Sequence, residues 1–449
     1  MSAPPMTSTP IQAEAGLSLG IDFGTTNTVL ALAAPGAPAS LARFPAPDGD
    51  VFAFRSALAF HAPPDQPAER TVEAGPWAIE AYVEDPLETR FIQSFKTFAA
   101  SASFTETQIL GRRYAFEDLL SAFLFKLREH GGDTLANLPA RVIVGRPVTF
   151  AGAAPDPRLA LSRYEAAFAR LGFSEILYVY EPVGAAFFFA RTLKADATVL
   201  VGDFGGGTSD FSIIRFKRDG AGAFRAEPLG RSGVGVAGDA FDYRIIDQLV
   251  SPALGKGSSY RTFGKTLPIP NRYYSAFARW DQLALLRASR DMREIRKLER
   301  EAVEPDKIAR LIEILDDNHA YPLYRAVSRL KETLSRQDQA RFSFEAGGVS
   351  IVRDVARGEF ESWIAPELAK IEGAVDEALA DAGLTPDGID RVFLTGGSSL
   401  VPAVRAIFAR RFPAEKIETG GELESIASGL ALMGHEPDLA RWGERAVLG

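Results

Sequence analysis

Two stretches 181 positions apart repeat one pattern: an apolar strand, an aspartate at its end, a turn of small and polar residues, and a second apolar strand. The first is LGIDFGTTNTVLAL (19–32) and the second VLVGDFGGGTSDFSII (199–214). Asp-Phe-Gly enters each turn, at Asp22 and Asp203. Either copy alone would pass for a β-hairpin built from turn-favouring residues. Two copies at equivalent places imply a duplicated α/β unit, and they give the turns a common task.

That task follows from backbone chemistry. A tight Gly/Thr turn points several N–H groups to one side, and such a concavity binds anions. Glycine lets the backbone approach a phosphate closely. Gly24, Thr25, Thr26 and Asn27 form one candidate cradle, and Gly205, Gly206, Gly207 and Thr208 the other. A carboxylate beside a polyphosphate is repelled unless a cation lies between them. Mg²⁺, a hard cation that keeps its waters, suits Asp22 and Asp203. The pair of hairpins is thus expected to clamp a nucleotide from both sides, with Mg²⁺ held mainly through water.

The rest of the chain is organised around this repeat. With 449 residues it exceeds one hydrophobic core. Residues 1–16 read as a disordered leader without the features of a secretory signal. A first lobe is expected over 17–195, and the pattern restarts at 197. FAFRSALAF (52–60) reads as a strand, and residues 87–130 mostly as helix. ARVIVGRP (140–147) and EILYVYEP (175–182) read as strands, each followed by a helix. The second lobe spans 196–435, with a mostly helical insertion at about 251–340 and a tail over 436–449. FSFEAGGVSIVRDV reads as a strand pair and 359–382 as one long helix. Strands alternating with helices indicate an α/β class.

Composition narrows the function. The net charge is −8, and in WDQLALLRASRDMREIRKLEREA acids interleave with every arginine cluster. That helix reads as a solvated face rather than a nucleic-acid surface. No apolar run reaches the ~20 residues of a membrane helix. There is no cysteine, and the four histidines show no ligand spacing, so thiol chemistry, disulfides and a zinc site are excluded or disfavoured. Nucleic acid and membrane are not expected partners, and the cytoplasm is the expected location.

Three other glycine motifs compete for attention. FGKT (263–266) lacks the first glycine of a P-loop, because position 259 is Ser259. GVGVAG (233–238) fits G-x-G-x-x-G, but no clear strand leads into it and no acid follows at the needed distance. It precedes a helix near Asp239, so Gly238 can still contribute phosphate contacts. LTGGSS (394–399) reads as a strand-turn-helix junction whose flat backbone, at Gly396, Gly397 and Ser398, can face a nucleoside.

In this order, GIDFGTTNT, YEPVGAAFFFA, VGDFGGGTSDFSII, GVAGDAFDYRI, LKETLS, VFLTGGSSLVPAVR and IASGLALMG resemble the ATPase domain of the 70-kDa heat-shock family, the DnaK-type chaperones. The resemblance covers about 17–435, and VGRPV with EPDKIARLIEILDDNHAYPLYRAV looks like the short, YegD-like branch. It implies the two-lobed actin-like ATPase fold, with duplicated ribonuclease-H-like domains, in the superfamily shared with actin and sugar kinases. It also implies ATP/ADP and Mg²⁺ as ligands and slow hydrolysis. Asp22 and Asp203 would hold the Mg²⁺ shell. Lys96, in FIQSFKTF, would position the water and γ-phosphate, and Glu181 would lie near both. Asp210 would support Asp203 or the water. Lys331 and Ser335 would lie on the adenosine side, opposite Gly396, Gly397 and Ser398.

The chain departs from the family where adenosine would lie. Ser328 replaces the acid expected at the ribose, Glu332 an arginine near the base, and Leu400 the arginine that stacks on adenine. Leu423 stands in the usual Pro-Asp-Glu. The phosphate contacts look intact while the base pocket is altered, so weaker ATP affinity or relaxed base choice is expected. Full DnaK-type chaperones continue into a peptide-binding domain; none is expected here beyond the stretch of resemblance, so peptide clamping is not expected. A protein client or co-chaperone is an expected partner. A nucleotide-timed scaffold of the actin type and a small-molecule kinase are the alternative readings. No acid stands where a sugar kinase of this superfamily would need its base.

Overall fold

The computed structural model describes residues 16–46, 49–62, 70–85, 88–152, 154–218, 224–275, 286, 290–316, 319–436 and 439–444. Nearly all of the leader, the first part of the charged insertion helix and the end of the tail lie outside the described residues. The chain divides into two compact units. One comprises 1–237, 370–399 and 404–449, and the other 238–369 with 400–403.

The first unit contains the duplication. Its first sheet is built from β1 (Ser18–Phe23), β2 (Asn27–Ala33), β3 (Ser40–Leu41), β4 (Arg141–Arg146) and β5 (Glu175–Tyr180), in the order β5-β4-β1-β2-β3, with Phe54–Arg55 also paired to the start of β2. Its second sheet is built from β6 (Ala197–Phe204), β7 (Ser209–Arg218), β8 (Phe224–Val234), β9 (Arg391–Thr395) and β10 (Ile417–Thr419), in the order β10-β9-β6-β7-β8. In each, a hairpin carries a further antiparallel strand on one side and two parallel strands on the other. Helices match too. α1 (Pro157–Arg170) joins β4 to β5 and α2 (Glu181–Ala190) follows. α3 (Pro402–Ala409) joins β9 to β10 and α4 (Ser425–Met433) follows.

Sequence explains why the hairpin strands are central. All eight residues of β6, ATVLVGDF, are buried, as expected of a strand covered on both faces. α4 packs on β1 at a point that tolerates no side chain, since a Cβ on Gly20 would lie 2.3 Å from the Ala427 carbonyl oxygen. α2 and α4 meet just as closely. A Cβ on Gly429 would lie 1.7 Å from the Gly184 carbonyl oxygen.

The expected helix over 87–130 is mostly something else. Thr89–Gln93 is a strand, Phe95–Phe98 a 3₁₀ turn, and Thr107–Ile109 with Arg112–Tyr114 a small hairpin. Only Phe116–His130 is helical in the long stretch expected. Thr89–Gln93 pairs antiparallel with Ala57–His61, so cross-strand packing overrides local periodicity. The expected strand over 52–60 is split into Phe54–Arg55 and Ala57–His61. The helix expected over 359–382 is two, Arg357–Trp363 and Ala365–Asp381, broken at Ile364. Pro366 lacks an N–H, which suits the first turn of a new helix and not the middle of an old one.

The second unit opens with helix Gly238–Ile245. It continues through Arg290–Glu301, Pro305–Asp316 and Ala320–Leu334, and carries hairpins Ser259–Thr262/Lys265–Pro268 and Gln339–Ala346/Val349–Ala356. Arg290–Glu301 buries Met292, Ile295 and Leu298, while Glu294 pairs with Arg290 at 3.2 Å and Arg272 at 2.6 Å.

Candidate functional site

The two Asp-Phe-Gly turns close with the same bond. Gly24 N–H donates to the Asn27 carbonyl at 3.0 Å, and Gly205 N–H donates to the Thr208 carbonyl at 3.0 Å. Ladder registers match as well, ending at Phe23–Thr28 in one copy and Phe204–Ser209 in the other. The first turn is braced by Ser56, whose hydroxyl donates to Gly24 O at 2.7 Å and whose N–H donates to Thr26 O at 2.9 Å. The turns approach each other, because a Cβ on Gly207 would lie 3.2 Å from Thr25 Oγ1. Glycine at 207 therefore leaves open a space that any side chain would fill.

The strand-turn-helix junction at 394–399 joins the second turn. Ser398 donates to the Gly205 carbonyl at 3.1 Å. Gly396 has φ +81°, and a Cβ there would lie 2.4 Å from Phe204 O and 2.9 Å from Asp203 Oδ1. Only glycine fits this position on both counts.

Lys96 and Glu181 form a buried pair, Nζ to Oε1 at 2.7 Å. Lys96 sits on the turn Phe95–Phe98, which begins at Ser94 in the left-handed region, φ 55°. Glu181 is the first residue of α2, directly after β5. Lys96 Nζ also lies 5.8 Å from the Phe23 ring centre, next to the first turn. Glu181, Asp203 and Asp210 are buried, and Asp22 is partly buried.

Four carboxylates thus crowd around one ammonium group. Burial pushes the Asp22 carboxyl up to about 7, with the Glu181 charge adding and Lys96 opposing. Asp203 is raised well above the ordinary range by burial and then by the charges of Glu181, Asp22 and Asp210. Asp210 reaches about 7 through burial and Glu181, against the pull of the Thr208 hydroxyl and two amides. Those amides belong to Val148 and Thr149 and donate to Oδ1 at 2.7 and 3.2 Å. The other oxygen, Oδ2, is buried without a hydrogen-bond partner. Burial alone would lower Lys96, but Glu181, Tyr164 and Asp22 hold it above its ordinary value. Such a set has excess negative charge and an unsatisfied oxygen, and so fits a cation.

Several participants escaped the sequence reading. Ser56 and the amides of Val148 and Thr149 act through backbone geometry that residue type does not signal. Arg146, which ends β4, lies 4.8 Å from the Tyr180 ring centre, and Arg231 lies 4.6 Å from it. Tyr180, close to two guanidinium groups, is the residue before Glu181. A strand does lead into GVGVAG: β8, which ends at Val234. It is an antiparallel edge strand interrupted by Pro228 and Gly230, unlike the parallel strand of a dinucleotide fold.

Gly238, Lys331 and Ser335 belong to the second unit. There Lys331 Nζ donates to Asp242 at 2.9 Å and to the Gly238 carbonyl at 3.2 Å, and Ser335 donates to the Lys331 carbonyl at 2.9 Å. Lys331, expected on the adenosine side, is thus engaged with residues of its own unit. Leu423 is exposed.

Comparison with known proteins agrees with this geometry. A family model described as "Hsp70 protein" matches residues 297–436. "Chaperone protein DnaK" from one strain of Thermus thermophilus is 25% identical over 425 residues, covering 92% of this chain. Its counterpart from a second strain of that species is 24% identical over the same length. The chain is thus similar to proteins of the Hsp70 family over most of its length. The match spans 60% of the length of these relatives. The fold agrees with the actin-like α/β fold that the sequence implied. Among the described residues no helix is long and apolar enough to cross a membrane.

Proposed function

We propose that this chain is an Mg-ATP-binding, slowly ATP-hydrolysing, chaperone-like protein of the Hsp70 family. The observation that carries the reading is the approach of two identically bonded Asp-Phe-Gly turns beside a buried Lys96–Glu181 pair. Turn amides at Thr25–Asn27 and Gly206–Thr208 cradle phosphate oxygens. Asp22 and Asp203 would hold Mg²⁺ through its waters, and the ion would supply positive charge against the phosphates. Lys96 fixes Glu181, and the pair orients a water toward the γ-phosphorus. The new bond runs from the water oxygen to phosphorus, the bond to the ADP oxygen breaks, and the water proton ends on the released phosphate. Little more than positioning and charge neutralisation is needed for phosphoryl transfer.

Phosphate release from Mg-ATP, measured for the wild type, Asp203→Asn and Lys96→Ala, tests this. Slow release in the wild type and loss of at least ~100-fold in both variants is the expected result. Undiminished release in either variant refutes the assignment. Ser328, Glu332, Leu400 and Leu423 favour weak base discrimination, so ATP and GTP should bind comparably. Tight, ATP-selective binding would contradict that part.

A further inference from the structure

The hairpin Ser259–Thr262/Lys265–Pro268 turns through Phe263 and Gly264, both in the left-handed region at φ 45° and 75°. Such a two-residue turn favours Asn-Gly or Gly-Gly, and an aromatic residue in its first position is conformationally unfavourable. Phe263 is nevertheless there, and it is 99% exposed. An apolar ring held in a strained, fully solvated position contributes nothing to the fold. Leu267, on the second strand of the hairpin, and Val303, bonded to the start of its first strand, are also exposed. The link between hairpin and Val303 is direct, since Val303 N–H donates to the Ser259 carbonyl at 2.8 Å.

The other strand of the hairpin has an open edge. A two-residue turn makes Thr262–Lys265 the bonded pair that closes it, and bonded pairs alternate with non-bonded ones. Thr266 therefore directs its N–H and C=O away from the hairpin, and residues 265–268 are all exposed. No further strand pairs with this edge among the described residues.

Charge selects the occupant. Residues 248–280 contain five basic side chains and no acidic one, in a chain of net charge −8. Lys256 pairs with Asp247, and Arg272 with Asp291 and Glu294. Arg261 and Lys265 flank Phe263, are exposed, and have no ion-pair partner among the described residues. We propose that this hairpin is a docking edge for an extended, acidic segment of a partner protein, which adds as a strand beside 265–268. Phe263 anchors its apolar positions, while Arg261 and Lys265 meet its carboxylates. The FGKT sequence thus marks an interaction edge and not a phosphate loop. The inference is independent of nucleotide binding.

Fluorescence anisotropy of the full chain tests it, with fluorescein-labelled decapeptides alternating Val-Glu or Val-Lys as probes. The Val-Glu peptide should bind at least ~tenfold tighter than Val-Lys, and more weakly as salt rises. Phe263→Ser, the double change Arg261→Glu/Lys265→Glu, and Thr266→Pro should each weaken it by ~fivefold or more. Thr266→Pro deletes an outward N–H and leaves the hairpin's own ladder bonds in place. Thermal melts coincident with the wild type establish that these exposed-site variants remain folded. Equal affinity for both peptides, no binding, or binding unaffected by the variants would overturn the proposal. So would tighter binding of a 20-base-pair DNA duplex through the same residues.

Discussion

Asp22 gives the sharpest quantitative test of the site's electrostatics. In the metal-free protein its carboxyl titrates at about 7, against an ordinary 3.8, chiefly because of burial. Each tenfold change in proton affinity is worth about 1.36 kcal/mol, so the ionised group costs the fold roughly 4 kcal/mol at pH 8. Partial solvent access screens this, and about 2–4 kcal/mol is the working range. The sign is fixed by proton counting. Between pH 3.8 and 7 the folded state binds more protons than the unfolded state, so stability falls as pH rises through that window. Asp22→Asn removes the liability. Urea unfolding in EDTA without nucleotide should therefore find the variant more stable than wild type, by nearly the full amount above pH 7. The gain should shrink steadily below pH 7 and be mostly gone by pH 4. Added Mg-ATP should reverse the order, because only the wild type keeps the carboxylate. A variant less stable than wild type at pH 8, or a gain independent of pH, would refute the picture of crowded, uncompensated carboxylates.

The crossing of α2 and α4 makes a second prediction. Gly429→Ala places a methyl 1.7 Å from a carbonyl oxygen, and should cost at least about 3 kcal/mol or prevent folding. Gly184→Ala meets the Leu430 side chain at 3.0 Å and the Ile426 carbonyl oxygen at 3.1 Å, so it should cost about 1–3 kcal/mol, less than Gly429→Ala, and thermal melts should rank the two in that order. A third concerns Glu73, which shares a 2.9 Å hydrogen bond with His130 and lies 3.4 Å from Lys126 Nζ. Partial burial alone would raise its pKa, but the His130 bond and the Lys126 charge lower it. Its stabilisation is therefore present above pH 4.5 and lost as pH falls through the lower folded value. Glu73→Gln should cost about 1 kcal/mol in urea melts at pH 7 and little at pH 3. A cost that persists in acid would contradict that sign.

The features legible in the sequence were those carried by residue type at short range. Apolar runs ending in Asp-Phe-Gly marked β1, β6 and their turns, and YEPVG placed Glu181 at a helix start. Features set by distant partners were hidden. Thr89–Gln93 is a strand because Ala57–His61 lies beside it. Lys96 reaches Glu181, 85 positions away, only through the left-handed bend at Ser94. β8 escaped notice because Pro228 and Gly230 disguise an edge strand. Asp210 was identified as a supporting acid, yet its bonds go to main-chain amides that any residue could supply.

The glycine contact between α2 and α4 also bears on how this sequence can drift. The obstacle at position 429 is a main-chain oxygen, which every residue at 184 possesses. No substitution at a neighbouring position can remove it, so a change there has no second-site suppressor of the usual shape-compensating kind. A saturation screen would score Gly429 as intolerant as the glycines proposed to cradle phosphate, although its obstacle is the Gly184 carbonyl. Its intolerance would persist under selection for stability alone, whereas that of Gly206 would vanish once nucleotide binding was no longer demanded.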